Sequence, residues 1–185
     1  MLSRISVAAI GLVLLANGMA AQEKNMVKLH VDTFTVAGVS VRTSNAKEMT
    51  SEAPIGKLWQ RLASDNFLAR IPNKVDDSVI ALYTDYENGK DGLYTYLLGA
   101  KVSSKKDLPA EFVARDIVSG EYGVFTAKGG APGEMTVNLW KQIWSLEKPG
   151  GLERAYKTDY EVHYGEAENV QTSRTDIYIG LKDKK

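Results

Sequence analysis

Few side chains in this sequence offer chemistry. The 185 residues include two histidines, His30 and His163, and no cysteine, which excludes disulfides, thiolate metal sites and cysteine nucleophiles. Neither histidine has the His-x-x-x-His spacing or the carboxylate-rich loop of a catalytic metal centre, so no metal is expected. His163 reads as a solvated side chain on a polar strand face or, as an alternative, an axial haem ligand. Gly129-Gly130-Ala131-Pro132-Gly133 precedes a helical pattern, where a phosphate could sit. It lacks the Gly-Lys-Ser/Thr ending of a phosphate-binding loop and reads as a flexible connection. No Gly-x-Ser-x-Gly nucleophile motif occurs, and nothing demands catalysis. What remains is a carboxylate, Glu161, and an aromatic set: three tryptophans, and nine tyrosines against four phenylalanines.

The elements that carry these residues follow from periodicity. Residues 156–164 alternate as a strand, with Lys157, Asp159, Glu161 and His163 on one face and Tyr156, Tyr160, Val162 and Tyr164 on the other. By itself this reads as a charged face in solvent and a tyrosine face in the core. Ser51-Glu52-Ala53-Pro54 opens a helix in which Ile55, Leu58, Trp59 and Leu62 form one stripe. Thr136, Leu139, Trp140, Ile143 and Trp144 form a second such stripe, stopped by Pro149-Gly150-Gly151. Tryptophans at this spacing usually pack a core. Extended structure is predicted over 27–42, 79–86, 93–102, 116–127 and 175–181. Asn88-Gly89-Lys90-Asp91-Gly92 forms a hairpin loop, and a polar loop joins the last two strands.

Composition bounds the class. A hydrophobic fraction of 44% and this length fit one globular domain. The 23 basic and 23 acidic side chains balance, with no long Lys/Arg run, so no nucleic-acid partner is expected. The first 21 residues differ in kind: Arg4, a short apolar stretch over 5–16, then Asn17-Gly18-Met19-Ala20-Ala21. A positive start, an apolar centre and a small-residue exit predict a signal peptide over 1–21. The apolar stretch is shorter than the ~20 residues a spanning helix needs, so no stable membrane insertion is expected after cleavage. The mature protein is expected outside the cytoplasm, periplasmic or extracellular, with 22 basic against 23 acidic side chains.

The order of elements repeats. Thr84-Asp85-Tyr86-Glu87 recurs as Thr158-Asp159-Tyr160-Glu161, Leu58-Trp59 recurs as Leu139-Trp140, and the sequence YTYLLGAK from Tyr94 has a shortened echo in YIGLK from Tyr178. The chain therefore reads as an α+β domain over 22–185 built from two β-α-β-β units, at about 27–104 and 111–182. Their strands are expected to share one antiparallel sheet about a pseudo-twofold axis, with two main helices against it and a central cleft.

A duplicated β-α-β-β unit with this order, together with VIALYTDYENGKDGLYTYLLG from Val79, Ser119-Gly120-Glu121-Tyr122-Gly123-Val124-Phe125 and Asp159-Tyr160-Glu161-Val162-His163-Tyr164, resembles the GyrI-like small-molecule-binding domain. The last segment is similar to that family's Phe-Glu-x-Tyr strand, with Tyr160 in place of Phe. The resemblance implies that Glu161 lies in a ligand cleft between the halves and meets a cationic, lipophilic ligand. Trp59 and Trp140, at equivalent places in the two helices, would wall that cleft, and Tyr83, Tyr122 and Tyr156 would add hydroxyls or ring faces. Glu87, the repeat-mate of Glu161, is expected near the hairpin and solvated. A helix-turn-helix segment, found beside this module in regulators, is absent, and the predicted signal peptide stands in its place. The expected function is extracytoplasmic binding of a small, largely apolar and cationic molecule, without a cofactor. The alternative is hydrolysis of a strained electrophile with Glu161 as general base, and a third reading is haem binding.

Overall fold

The computed structural model describes residues 26–164 and 173–183. The segment predicted to direct export lies outside the described residues, as does most of the predicted polar loop before the last strand. In chain order the elements are β1 (Met26–Val31), β2 (Phe34–Thr43), α1 (Asn45–Glu48), α2 (Pro54–Asp65), a 3-10 turn (Phe67–Arg70), β3 (Val79–Thr84), β4 (Tyr94–Val102), β5 (Val113–Ile117), β6 (Gly120–Lys128), α3 (Pro132–Leu146), β7 (Arg154–Tyr164) and β8 (Arg174–Leu181). This is an α+β fold, as the alternating hydrophobic periods indicated.

All eight strands form one antiparallel sheet in the order β1-β6-β8-β7-β3-β4-β2-β5. The two halves meet at its centre, where β3 pairs with β7 and Thr84 lies opposite Thr158. Those residues begin the two copies of Thr-Asp-Tyr-Glu. Outward from this seam both halves repeat the same pairing, β7-β8-β6 on one side and β3-β4-β2 on the other.

The extended regions predicted over 27–42 and 116–127 each divide into two strands. β1 and β2 are separated by two residues, as are β5 and β6, yet neither pair forms a hairpin. β1 pairs with β6 of the second half, and β5 pairs with β2 of the first. Two connecting residues span at most about 11 Å between flanking Cα atoms, so the outer strands of this wide sheet must curl towards each other. Phe34 consequently meets Tyr160 edge-on, at 5.6 Å between ring centres, although they lie on strands far apart in the sheet order.

The inside of the curl is apolar. Val36, Ile80, Leu82, Leu97, Ile117, Tyr122, Tyr160 and Val162 form one buried cluster there. The opposite face carries both long helices. Pro54 occupies the first turn of α2, where its missing N–H costs nothing, and the helix ends at Asn66 in the left-handed conformation, φ 42°. Leu58, with Ile55, Trp59 and Leu62, packs on β2–β4. Leu139, Trp140 and Ile143 of α3 pack on Phe125, Ile177 and Ile179 of β6 and β8. Trp144, assigned to the same stripe, sits at its margin: it is 44% exposed and leans on Trp140 at 5.9 Å.

Candidate ligand-binding site

The helix-bearing face of the sheet is not closed over the seam. α2 packs on one half and α3 on the other, and between them lies a cavity of about 430 Å³. Ile55 and Trp59 line it from α2, Thr136, Val137 and Trp140 from α3, and Tyr83, Tyr96, Glu161 and His163 form its floor. Strand alternation explains the floor. Tyr83, Tyr96 and Glu161 fall on the helix side of β3, β4 and β7, while Leu82, Leu97, Tyr160 and Val162 turn into the curl. The neighbour of Glu161 across the seam is Ala81, whose small side chain leaves the carboxylate room to face the cavity.

Glu161 is 2% exposed. Its Oε1 accepts hydrogen bonds from the Tyr83 hydroxyl at 2.7 Å and from Trp140 Nε1 at 2.5 Å, and its Oε2 lies 2.7 Å from His163 Nε2. Burial pushes this carboxyl up, but the hydrogen bond and charge of His163 and the donors Trp140 and Tyr83 outweigh it, and the net direction is down from the ordinary value. Burial, followed by the nearby Glu161 charge, pushes the Tyr83 and Tyr96 hydroxyls well above their ordinary value. They therefore remain proton donors at any physiological pH. Among the described residues no Lys or Arg lines this cavity; the negative charge faces aromatic rings and neutral donors, with His163 as the one basic group.

The aromatic walls are locked to one another. Trp59 Nε1 donates to the Tyr96 hydroxyl at 2.8 Å, and its ring meets His163 edge-on at 4.9 Å. The Tyr83 ring stands 5.1 Å from Tyr96 and 5.2 Å from Trp140, both edge-on. Ring planes fixed in this way present preorganised faces to a ligand cation or an apolar ring.

A second chamber of about 220 Å³ shares Ile55, Tyr83, Val137 and Trp140 with the first. Arg154 and Tyr156 on its wall belong to an ion network. Arg154 donates to Glu147 at 2.5 Å and to Asp159 at 2.7 Å, the Tyr86 hydroxyl donates to Asp159 at 2.7 Å, and the Tyr156 hydroxyl donates to Glu147 at 2.6 Å. The guanidinium lies over the rings of Tyr156, at 4.5 Å, and Trp140, at 5.5 Å. A cleft of about 700 Å³ elsewhere, beside β1 and the end of β8, has charged side chains such as Lys28, Glu121, Lys182 and Asp183 on its walls. No buried polar group converges on it, so the smaller aromatic cavity is the candidate site.

Of the residues singled out from the sequence, the structure brings Glu161, Trp59, Trp140 and Tyr83 around one cavity. Tyr156 is moved from its expected face. The β7–β8 register shifts between Arg154 and Asp159, and Tyr156 takes φ 52°; this irregularity turns its ring to the helix side, at the rim of the second chamber. Tyr122 is a correction. It lies inside the curl, with its hydroxyl bound to the Val118 carbonyl and Thr158, and the sheet separates it from the cavity. The solvated reading of the Asp159–Glu161 face is also corrected, because both carboxylates are buried among partners on the helix side: Tyr83 and Trp140 for Glu161, Tyr86 and Arg154 for Asp159. Glu87 ion-pairs with Arg42 at 2.7 Å and its side chain is 59% exposed. Both nitrogens of His163 are engaged, Nε2 with Glu161 and Nδ1 with Thr175 at 3.2 Å, so haem ligation would break one of these bonds. Sequence reasoning missed Tyr96, which the alternation of 93–102 could have paired with Tyr83, and the Arg154–Asp159–Glu147 network, which no spacing signalled. Among the described residues no group of three or more His, Asp or Glu side chains is placed to hold a metal ion.

Comparison with known proteins places this architecture. The model of the family Cass2, integron-associated effector binding protein, matches residues 29–181. A protein of Bacillus subtilis (strain 168), YobU, described as a candidate transcriptional regulator, is 34% identical over 154 residues, which cover 83% of this chain and 95% of that protein. The crystal structure of an integron cassette protein, Cass2, from the mobile metagenome of Vibrio cholerae superposes with a TM-score of 0.68 at 30% identity, covering 86% of this chain and 97% of the other. The structure of SAV2435 bound to tetraphenylphosphonium superposes with the same TM-score at 17% identity, over 85% of this chain and 93% of that one.

Proposed function

This chain belongs to the family of integron-associated effector binding proteins, the GyrI-like group that its strand and helix repeats resemble, and on that premise we propose that it binds a lipophilic small-molecule cation between α2 and α3. The observation that carries this reading is the Glu161 carboxylate, buried and held charged at the floor of a cavity walled by Trp59, Trp140, Tyr83 and Tyr96. A buried charge is costly unless something compensates it. Here the compensation comes from the hydrogen bond and charge of His163 and from the donors Trp140 and Tyr83, and a ligand cation would take over the charge that His163 supplies. Such a cation stacks on the rings and faces the carboxylate, and the rings supply apolar area.

The hydrolytic alternative gains no support from this geometry. A carboxylate that already accepts three hydrogen bonds, and whose proton affinity is lowered, is a weak general base. In the proposed reading the protein works outside the cytoplasm after removal of residues 1–21 and acts without contacting DNA. Support for export comes from the sequence pattern of that segment. Support for the absence of DNA binding comes from the balanced charge.

Tryptophan fluorescence tests the binding reading, because Trp59 and Trp140 both touch the cavity. Tetraphenylphosphonium should quench saturably, with the neutral triphenylphosphine oxide markedly weaker; equal affinity for the two, or no saturation by either, contradicts it. Cell fractionation of the full-length chain tests export. The expected result is a shortened species outside the cytoplasm, and an uncleaved cytoplasmic species is the contrary one.

A further inference from the structure

The one basic side chain in the cavity stands directly against its one buried carboxylate, and this arrangement rests on more than proximity. His163 projects from β7 two residues beyond Glu161, so both face the helix side, and its side chain is 16% exposed. Its Nε2 lies 2.7 Å from Glu161 Oε2. On its other side Nδ1 lies 3.2 Å from Thr175 Oγ1, which itself lies 3.4 Å from the Thr136 hydroxyl of α3. A chain in which Thr136 donates to Thr175, Thr175 to Nδ1, and Nε2–H to Glu161 satisfies every group with a neutral imidazole. A second proton on Nδ1 turns that nitrogen from acceptor to donor and reverses the Thr175 hydroxyl.

Resting on the binding reading above, we infer that His163 is the residue that sets the charge the cavity selects: neutral, it leaves Glu161 to a ligand cation, and protonated, it takes that cation's place. The groups facing His163 fit this role. From its own strand there is Glu161, from β8 Thr175, and from α2 the Trp59 ring, edge-on at 4.9 Å. Tyr83 of β3 and Tyr96 of β4 line the same cavity as protonated hydroxyls. α3 contributes Gly133, Thr136, Val137 and Trp140, none of them charged. The neighbouring carboxylate of β8, Asp176, is occupied elsewhere, by Arg174 and Thr126. Glu48 of α1, on the second chamber, is held by Thr43 and the Ile55 N–H. An imidazolium and a ligand cation would therefore compete for one carboxylate in a site of low polarity. Proton and cation exclude each other, and cation binding releases a proton.

Calorimetric titration with tetraphenylphosphonium between pH 5.5 and 8 tests this in the wild-type protein and in His163→Gln, whose amide keeps a donor for Glu161 but cannot titrate. In the wild type the affinity should rise with pH and level off once the cavity no longer takes up the competing proton, with a limiting slope of about tenfold per pH unit. His163→Gln should lose most of that pH dependence, what remains coming from Glu161, which no longer has the His163 charge beside it. NMR titration of the His163 ring in the wild-type protein provides a readout that needs no variant: saturating tetraphenylphosphonium should move its titration to lower pH, with exposed His30 as internal reference. Wild-type affinity that does not change with pH, a variant that keeps the wild-type pH profile, or a His163 titration that the cation leaves in place would each overturn the inference while leaving the binding reading intact. Absence of tetraphenylphosphonium binding at every pH in both proteins defeats the cation reading and this inference with it.

Discussion

Two copies of the same four letters have opposite fates in this fold, and backbone context decides which. Thr84 and Thr158 face each other across the seam. After Thr84 the first copy leaves the sheet, with Asp85 at φ 53°, and Glu87 reaches solvent and Arg42. The second copy continues in β7, so Glu161 stays in register, buried at the floor of the cavity between the helices. Sequence alone showed Glu161 as a repeat-mate of Glu87 and as one of four polar residues on a strand; only the resemblance distinguished it. Tyr122 was misassigned because tyrosine content carries no information about which side of a sheet a ring occupies. The buried ions allow two predictions at this scale. Because Glu161 is held below its ordinary value of 4.5, its contribution to stability is fully present above that pH and is lost as pH falls through the lower folded value. Acid unfolding followed by circular dichroism should therefore be shallower between pH 5 and 3 in Glu161→Gln than in the wild type. Arg154, whose side chain is 4% exposed and pairs with two carboxylates, should be costly to truncate. Arg154→Ala leaves Asp159 buried without its charged partner, and thermal melting should show a loss of about 3–5 kcal/mol.

The long helices were legible from their period and the strands from short apolar runs bounded by turn or polar residues. α2 and α3 have their apolar residues at helical spacing and a proline in the first turn, while β3 and β4 are buried on both faces and read as near-continuous apolar runs. What periodicity could not show was where an extended region changes partners. Residues 27–42 and 116–127 were each read as one extended region because only two residues, Asp32-Thr33 and Val118-Ser119, separate the successive strands, although the apolar phase shifts between Val31 and Phe34. The short α1, capped by the Ser44 hydroxyl, and the 3-10 turn over Phe67–Arg70 are too brief to register a period. Close approach within the sheet produces a further prediction. Gly38 of β2 lies opposite Gly99 of β4, and a Cβ on Gly99 would collide with the Ala37 carbonyl of the facing strand. Backbone atoms cannot step aside as a flexible side chain can. Gly99→Ala is expected to destabilise by about 1–3 kcal/mol, measured by urea unfolding; Gly120→Ala, where a Cβ meets nothing, is the control and should change little.

At the scale of the molecule, the duplication makes a pocket that neither half encloses alone. Each half contributes one helix and one half of the sheet, and the cavity lies where the helices stop short of the seam. The exchanged outer strands, β1 onto β6 and β5 onto β2, tie the halves together and hold the curl that buries Tyr160 and Tyr122 behind the site. Charge is asymmetric about that seam: Glu161 has no buried counterpart in the first half, and the ligand cation is expected to lie off-centre, towards β7 and α3. This single carboxylate is expected to select for positive charge. Isothermal calorimetry at pH 8, comparing tetraphenylphosphonium with triphenylphosphine oxide in the wild type and in Glu161→Gln, tests it most directly. The cation-over-neutral preference should fall by about tenfold or more in the variant, equivalent to about 1.4 kcal/mol or more, while the neutral ligand binds both proteins alike. A preference that survives the substitution unchanged would contradict it.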